Sequence, residues 1–230
     1  MDVKVLVATH KKYPLPEDRP YFPIHVGASL SDTALPYQRD DEGENISCKN
    51  PYYCELTALY WAYKNLRSDF IGLCHYRRYF DMEKIALNDR DLIILPKKRR
   101  YYIETVRSQF EHAHGKRPLE TVREIIERDH REYLDCFEQC MNKRSLHIYN
   151  IFIMRYDILM KYCDFLFDVL FKAEEELGKT ERMYGYIAER LLDVFIEANH
   201  YEYKEVKLVE TEPVDWPKKI WRFLERKIRA

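Results

Sequence analysis

Short apolar runs of strand length alternate along the chain with longer stretches in which apolar positions recur every three or four residues. These are the two periods expected of strands and helices. VKVLVA at 3–8 is the first run and predicts a strand ending at Ala8. From Tyr13 to Lys49 neither period holds. The stretch carries Pro14, Pro16, Pro20, Pro23 and Pro36 and the acidic tract QRDDEGEN at 38–45, so it reads as a long irregular segment around the aromatic YFPIHVG. Asn50-Pro51 joins a favoured N-cap to a proline tolerated in the first helical turn. Leu56, Leu59, Tyr60, Tyr63 and Leu66 follow at helical spacing and predict one amphipathic helix ending between Asn65 and Ser68.

Phe70 to Cys74 and DLIILP at 91–96 predict buried strands, and 101–141 reads as helical with a break from Gly115 to Pro118. LHIYNIFIMR at 146–155 is strand-like, and 156–177 is a long helix closed by Gly178. A helix over 185–198 and a last strand over 203–210 complete the series. Strands alternating with helices predict an α/β domain with a largely parallel sheet, spanning 1–212 and followed by a separate tail at 213–230.

The segment FIGLCHYRRYF at 70–80 begins as a core strand and then delivers His75, Arg77 and Arg78, three potential positive charges, to one point. Unpaired charges are very costly to bury, so something anionic should meet them. In an open α/β sheet, ligands bind at the carboxyl ends of the strands. Three such ends carry chemistry here: Thr9-His10-Lys11, His75-Tyr76-Arg77-Arg78 and the neighbourhood of Asn150. If the strands are neighbours, these ends form one rim suited to a pyrophosphate, because arginine forks match phosphate oxygens. The alternative is that Arg77 and Arg78 pair with acids of the 38–45 tract or of the helices.

Composition narrows the function classes. Charged residues make up 33% of the 230 residues yet nearly cancel, leaving a net charge of -1. That speaks against nucleic acid as a partner, since such proteins show a basic excess, and it confines any basic site to one locality. The 46% hydrophobic content suffices for a core. The 19 tyrosines offer stacking faces for sugars or bases as well as core packing. None of the six cysteines forms a C-x-x-C pair, which predicts reduced thiols of a cytoplasmic protein and no metal site. No signal peptide is recognised, and no apolar run approaches the ~20 residues of a membrane span. Walker, G-x-G-x-x-G and G-x-S-x-G motifs are absent from the sequence.

THKKY, GENISCKNPYYCELTALYWAYKN, GLCHYRRYF, YNIFIM and GYIAERLL, in that order, resemble a bacterial family of capsular and exopolysaccharide biosynthesis glycosyltransferases. The family was long catalogued as a domain of unknown function and includes galactofuranosyltransferases. The resemblance runs from about Val3 to about Val209. It implies a glycosyltransferase-A type fold, one Rossmann-like α/β domain that binds a nucleotide sugar.

Many such enzymes end the corresponding strand in an Asp-x-Asp motif that holds a divalent metal against the donor diphosphate. Here His75-Tyr76-Arg77-Arg78 stands in that place. The expectation is therefore that Arg77 and Arg78 stabilise the leaving diphosphate without a divalent metal. By the same resemblance Thr9, His10 and Lys11 seat base and ribose, with Asn45, Lys49 and Asn50 completing the nucleotide pocket beside His75 and Tyr76. Asn150, His114 and Arg190 fall on the side of the donor or acceptor sugar. Glu189 is the expected general base, with a structural salt bridge beside Arg190 as its alternative and His114 and Asp129 as weaker candidates.

The tail WPKKIWRFLERKIR places Lys218, Arg222, Arg226 and Arg229 on one helical face and Ile220, Leu224 and Ile228 on another. A basic amphipathic helix with tryptophans suits an anionic membrane surface, and packing on its own domain is the alternative. The expected protein is a cytoplasmic enzyme held peripherally at the inner face of the plasma membrane. It would move a hexosyl unit, galactofuranose from a UDP-linked donor, to a lipid-linked oligosaccharide acceptor. A non-catalytic module binding carbohydrate or anionic lipid is the rival reading.

Overall fold

The computed structural model describes residues 1–14, 20–82, 85, 87–88 and 90–210. The expected basic tail at 213–230 lies outside them. A mixed sheet forms the centre, with strands β1 (Val3–Thr9), β2 (Tyr21–His25), β3 (Gln38–Arg39), β4 (Phe70–His75), β6 (Ile93–Pro96), β9 (Phe152–Arg155) and β10 (Tyr203–Val206) in the order β10-β6-β9-β4-β1-β2-β3. All neighbours pair parallel except β9, which runs antiparallel to both β4 and β6. Two short strands, β5 (Arg78–Phe80) and β11 (Leu208–Glu210), extend from the end of β4 as an antiparallel pair. A separate ribbon joins β7 (Arg99–Arg100) to β8 (Ser145–Leu146).

Both faces of the sheet's central strands are buried, which is why β1, β4, β6 and β9 read as apolar runs. The period of two divides them between two cores. Leu6, Ile71, Leu73, Phe152 and Met154 face one way, and Val5, Val7, Phe70, Ile151 and Ile153 face the other. The helices are α1 (Asn50–Tyr53), α2 (Leu56–Asn65), α3 (Val106–His114), α4 (Arg117–Asp129), α5 (Leu134–Asn142), α6 (Tyr156–Leu177) and α7 (Met183–Ala198). Their buried apolar side chains join the first, larger core. The second core is closed by Tyr76, Phe80 and the partly buried Tyr21, Tyr79, Met82 and Leu208. Gly72 lets β9 approach β4 closely: a Cβ there would lie 2.9 Å from the Phe152 carbonyl oxygen.

Several expectations are corrected. The proline-rich 13–49 stretch contributes β2 and β3 to the sheet rather than staying irregular. The single helix expected from Asn50 is two, α1 and α2, separated at Cys54, whose φ is +53°. Asn50 is not an N-cap; it is already helical, and its Nδ2 donates to the Cys54 carbonyl at 2.8 Å and to Thr57 Oγ1 at 3.2 Å. The strand expected over 146–155 breaks at Tyr149 and Asn150, and the one over 203–210 is split into β10 and β11.

Candidate active site

From β1 the chain builds outward through β2 and β3 on one side, then returns to place β4 on the other side of β1. The topological switch point therefore lies between the carboxyl ends of β1 and β4, where open α/β sheets bind ligands. Register sets Ala8 beside His75, so Thr9-His10-Lys11 and His75-Tyr76-Arg77 emerge together. Thr9 is fully buried and holds the turn: its hydroxyl donates to the Lys11 carbonyl at 2.7 Å and accepts from the Lys11 N–H at 3.3 Å.

Tyr76 forms the floor of this crevice. Its ring lies 5.6 Å from that of His10, 4.2 Å from His75 and 5.0 Å from Tyr13. The Lys11 ammonium sits 4.9 Å above it and the Arg77 guanidinium 5.3 Å. Arg77 is exposed. The acidic tract does not reach the arginines. Asp41 pairs with Arg39, and the buried Asp40 accepts from the N–H groups of Gly27 and Ala28. Arg78 meets Glu210 of β11 at 3.4 Å and lies 4.3 Å over the Tyr149 ring.

The third expected charge is missing. Burial first, then Arg77, His10 and Arg78, lower the His75 pKa to about 3, so its ring is neutral at pH 7. Burial and the nearby Lys11 and Arg77 also hold His10 below the ordinary histidine value. The rim thus carries Lys11, Arg77 and Arg78 beside two neutral imidazoles.

Because β9 is antiparallel, its amino end, not its carboxyl end, meets the same rim. That is how Asn150 comes to lie beside the end of β4. Tyr149 and Asn150 both have left-handed backbones, with φ of +75° and +51°. Cys54 and Arg182 at the facing helix ends do too, at +53° and +59°. Such conformations cost roughly 1–3 kcal/mol each for non-glycine residues and gather where a site needs them.

What they hold is a pair of carboxylates. The Tyr149 N–H donates to Glu189 Oε1 at 3.1 Å, and Asn150 Nδ2 donates to Glu55 Oε1 at 2.8 Å. Glu189 also pairs with the buried Arg190 at 2.7 Å, and Arg190 donates to Gln109 Oε1 at 2.8 Å. Glu55 receives neutral donors, Asn150 and its own N–H, and burial followed by the nearby Glu189 charge raises its pKa above the ordinary glutamate value. Arg182 acts electrostatically on both His75 and Glu55, which joins the cationic crevice to the carboxylate wall. Among the described residues, Asn150 Oδ1 and Arg190 Nε are buried with no partner, leaving hydrogen-bonding capacity at this wall.

The structure brings together His10, Lys11, His75, Tyr76, Arg77 and Arg78, and beside them Asn150, Glu189 and Arg190. His114 borders the group, its ring 4.4 Å from Tyr186 of α7, with its pKa lowered by burial and by Arg190. Three candidates are engaged elsewhere. Lys49 pairs at 2.5 Å with Glu174 of α6, Asn45 Nδ2 bonds the carbonyls of Asp41 and Gly43, and Asp129 pairs with Lys172 at 2.9 Å. Asn50 packs under Gly27, past the end of β2. Sequence reasoning missed Glu55, Arg182 and the buried His25 at the end of β2, whose Nδ1 has no partner among the described residues. Glu55 lies inside the quoted CELTALY segment, where a glutamate opening a helix gave no sign of its site.

No curated protein matches the chain. A solved structure titled WbbM bifunctional glycosyltransferase, in its apo form, is similar over 93% of this chain, with a TM-score of 0.82 and 26% identity. The match covers 46% of that protein, so the chain spans about half the length of this relative. The residues of the carboxylate wall and the cationic rim, all between positions 9 and 190, fall within the region matched by a family model over residues 4–200, described as a domain of unknown function, DUF4422. The chain belongs to the DUF4422 family.

Proposed function

We propose that this protein is a glycosyltransferase that takes a sugar from a nucleotide diphosphate donor, UDP-linked, and passes it to a glycan hydroxyl. The observation that carries the reading is the switch point between β1 and β4, where Lys11 and Arg77 lie over the Tyr76 ring and Arg78 lies over the neighbouring Tyr149 ring. The likeness to a glycosyltransferase structure supports it. The donor diphosphate lies against these cations, which stabilise the charge that develops on the leaving group, the electrostatic work otherwise done by a divalent metal. On the facing wall, Glu55 takes the proton of the acceptor hydroxyl. Glu189 holds the Tyr149 backbone and Arg190 in place. Galactofuranose as the sugar, a lipid-linked oligosaccharide as the acceptor and an anionic membrane surface under the basic tail complete the proposal. Among the described residues, no helix is long and apolar enough to cross a membrane.

Replacing Arg77 or Arg78 by alanine should weaken binding of a nucleotide diphosphate by about 1.5–3 kcal/mol, the range for a hydrogen bond to a charged group. Calorimetry measures this directly. Turnover should persist in EDTA; activity that vanishes with chelator and returns with manganese would overturn the metal-independent mechanism.

The neutral imidazoles give a pH signature. His10 and His75 have depressed pKa values in the free protein, and a diphosphate beside them favours the imidazolium form. Binding then takes up protons, so affinity for a UDP-sugar should rise as pH falls from 7 towards 5.5. Titrations in two buffers of different ionisation enthalpy count the protons. Zero uptake, or affinity that falls with pH, would place the diphosphate away from these rings.

A further inference from the structure

Beyond the crevice, on the β6 and β10 side of the sheet, lies an open cavity of about 730 Å³. Arg78 and Tyr149 form its wall towards the carboxylates, so cavity and crevice share a boundary. Among the described residues, the other charged lining groups are Lys97, Arg99, Arg100 and Lys207, against Glu104 and Glu210. Five cations against two acids leave an excess of three positive charges among these described residues, on a protein whose net charge is -1. Tyr102 and Ile103 stand at the mouth, 81% and 72% exposed, among the few large apolar side chains left open to solvent. The Arg99 and Arg100 guanidiniums lie 5.4 and 5.9 Å from the rings of Tyr101 and Tyr102, so cation and aromatic surface alternate along the wall.

This combination fits a ligand that is part sugar and part anion. Aromatic faces pack against the apolar face of a pyranose or an alkyl chain, and arginine forks take phosphate or carboxylate oxygens. We propose that the cavity is the acceptor site and that the acceptor carries an anionic group within a sugar or two of the hydroxyl that reacts. The inference rests on the glycosyltransferase reading and adds the chemical class of its acceptor. The shared wall at Arg78 and Tyr149 keeps the anion near the donor diphosphate without placing it in the same crevice.

The anion has two chemical sources, a phosphate-linked carrier or an acidic sugar. Octyl galactosyl diphosphate, octyl galacturonoside and octyl galactoside, titrated into the unmodified protein by ligand-observed NMR, distinguish them. One or both anionic probes should bind at least 10-fold more tightly than the neutral one, and the preferred probe names the source. The double variant Arg99→Ser, Arg100→Ser should lose that preference while its affinity for UDP stays the same. Equal affinity for all three probes, or a preference that survives in the variant, overturns the proposal. If UDP itself fails to bind the unmodified protein, the glycosyltransferase reading fails instead, and the two failures are separable. Circular dichroism melting confirms that the variant is folded, and Lys97→Ser with Lys207→Ser provides a second pair should it not be.

Discussion

Glu55→Gln should cut transfer by ~100-fold or more while donor affinity stays unchanged, the loss expected when a general base is removed from a poor nucleophile. The substitution keeps size and one acceptor oxygen for Asn150 Nδ2, which now sits 2.8 Å from the carboxylate. What disappears is the proton acceptor. A second signature comes from the raised pKa of Glu55, caused first by its burial. The base works as carboxylate, so the acid limb of the pH–rate profile should lie above the ordinary glutamate value and should vanish in the variant. Glu189→Gln is the control. Its carboxylate already holds the Tyr149 N–H and Arg190, so its loss should disturb the Tyr149–Asn150 backbone and change KM for acceptor together with kcat. If Glu189→Gln instead removes the acid limb and Glu55→Gln does not, the base is Glu189, as the family resemblance implied.

The difference between these two glutamates shows how far the sequence could be read. Glu189 sits in a periodic helix and could be placed on a face; α6 and α7 were legible for the same reason, because long amphipathic segments advertise their period. The rim was legible in part, since polar residues directly after β-branched or apolar runs mark the ends of β1 and β4. Strand β2 was hidden by Pro23, which normally speaks against a central strand. In the structure β3 pairs only with Ile24 and His25, so the missing N–H of Pro23 can face an open edge. The left-handed backbones at Cys54, Tyr149, Asn150 and Arg182 were illegible. Glycine would have signalled them, whereas these residues adopt the conformation only because the packed elements around them enforce it. Since those four residues aim the carboxylates, Glu55 could not be found without the fold.

Asp193→Ala should destabilise the protein by about 3 kcal/mol, the scale for breaking a buried ion pair and stranding its partners. Asp193 is 4% exposed and His147 fully buried. One Asp193 oxygen pairs with His147 Nδ1; the other accepts from the His147 N–H at 3.1 Å and lies 3.6 Å from the Lys98 ammonium. His147 Nε2 continues to Glu205 of β10 at 3.1 Å. The cluster therefore ties α7 and the segment after β6 to the chain two residues before Tyr149. Burial alone would push the Asp193 carboxyl up, but the His147 hydrogen bond and the charges of His147 and Lys98 outweigh it and hold its pKa below the usual aspartate value. A carboxyl depressed on folding contributes stability above its unfolded pKa, about 3.9, and loses it as pH falls through the folded value. Urea unfolding at pH 7 should thus show the full difference between parent and variant, and the gap should close as pH is lowered past 4. Asp193→Asn, which still accepts from the His147 N–H, should lose less. A deficit under 1 kcal/mol at pH 7 would mean that His147 and Lys98 find other partners or water, and that the Tyr149 turn is held by Glu189 alone.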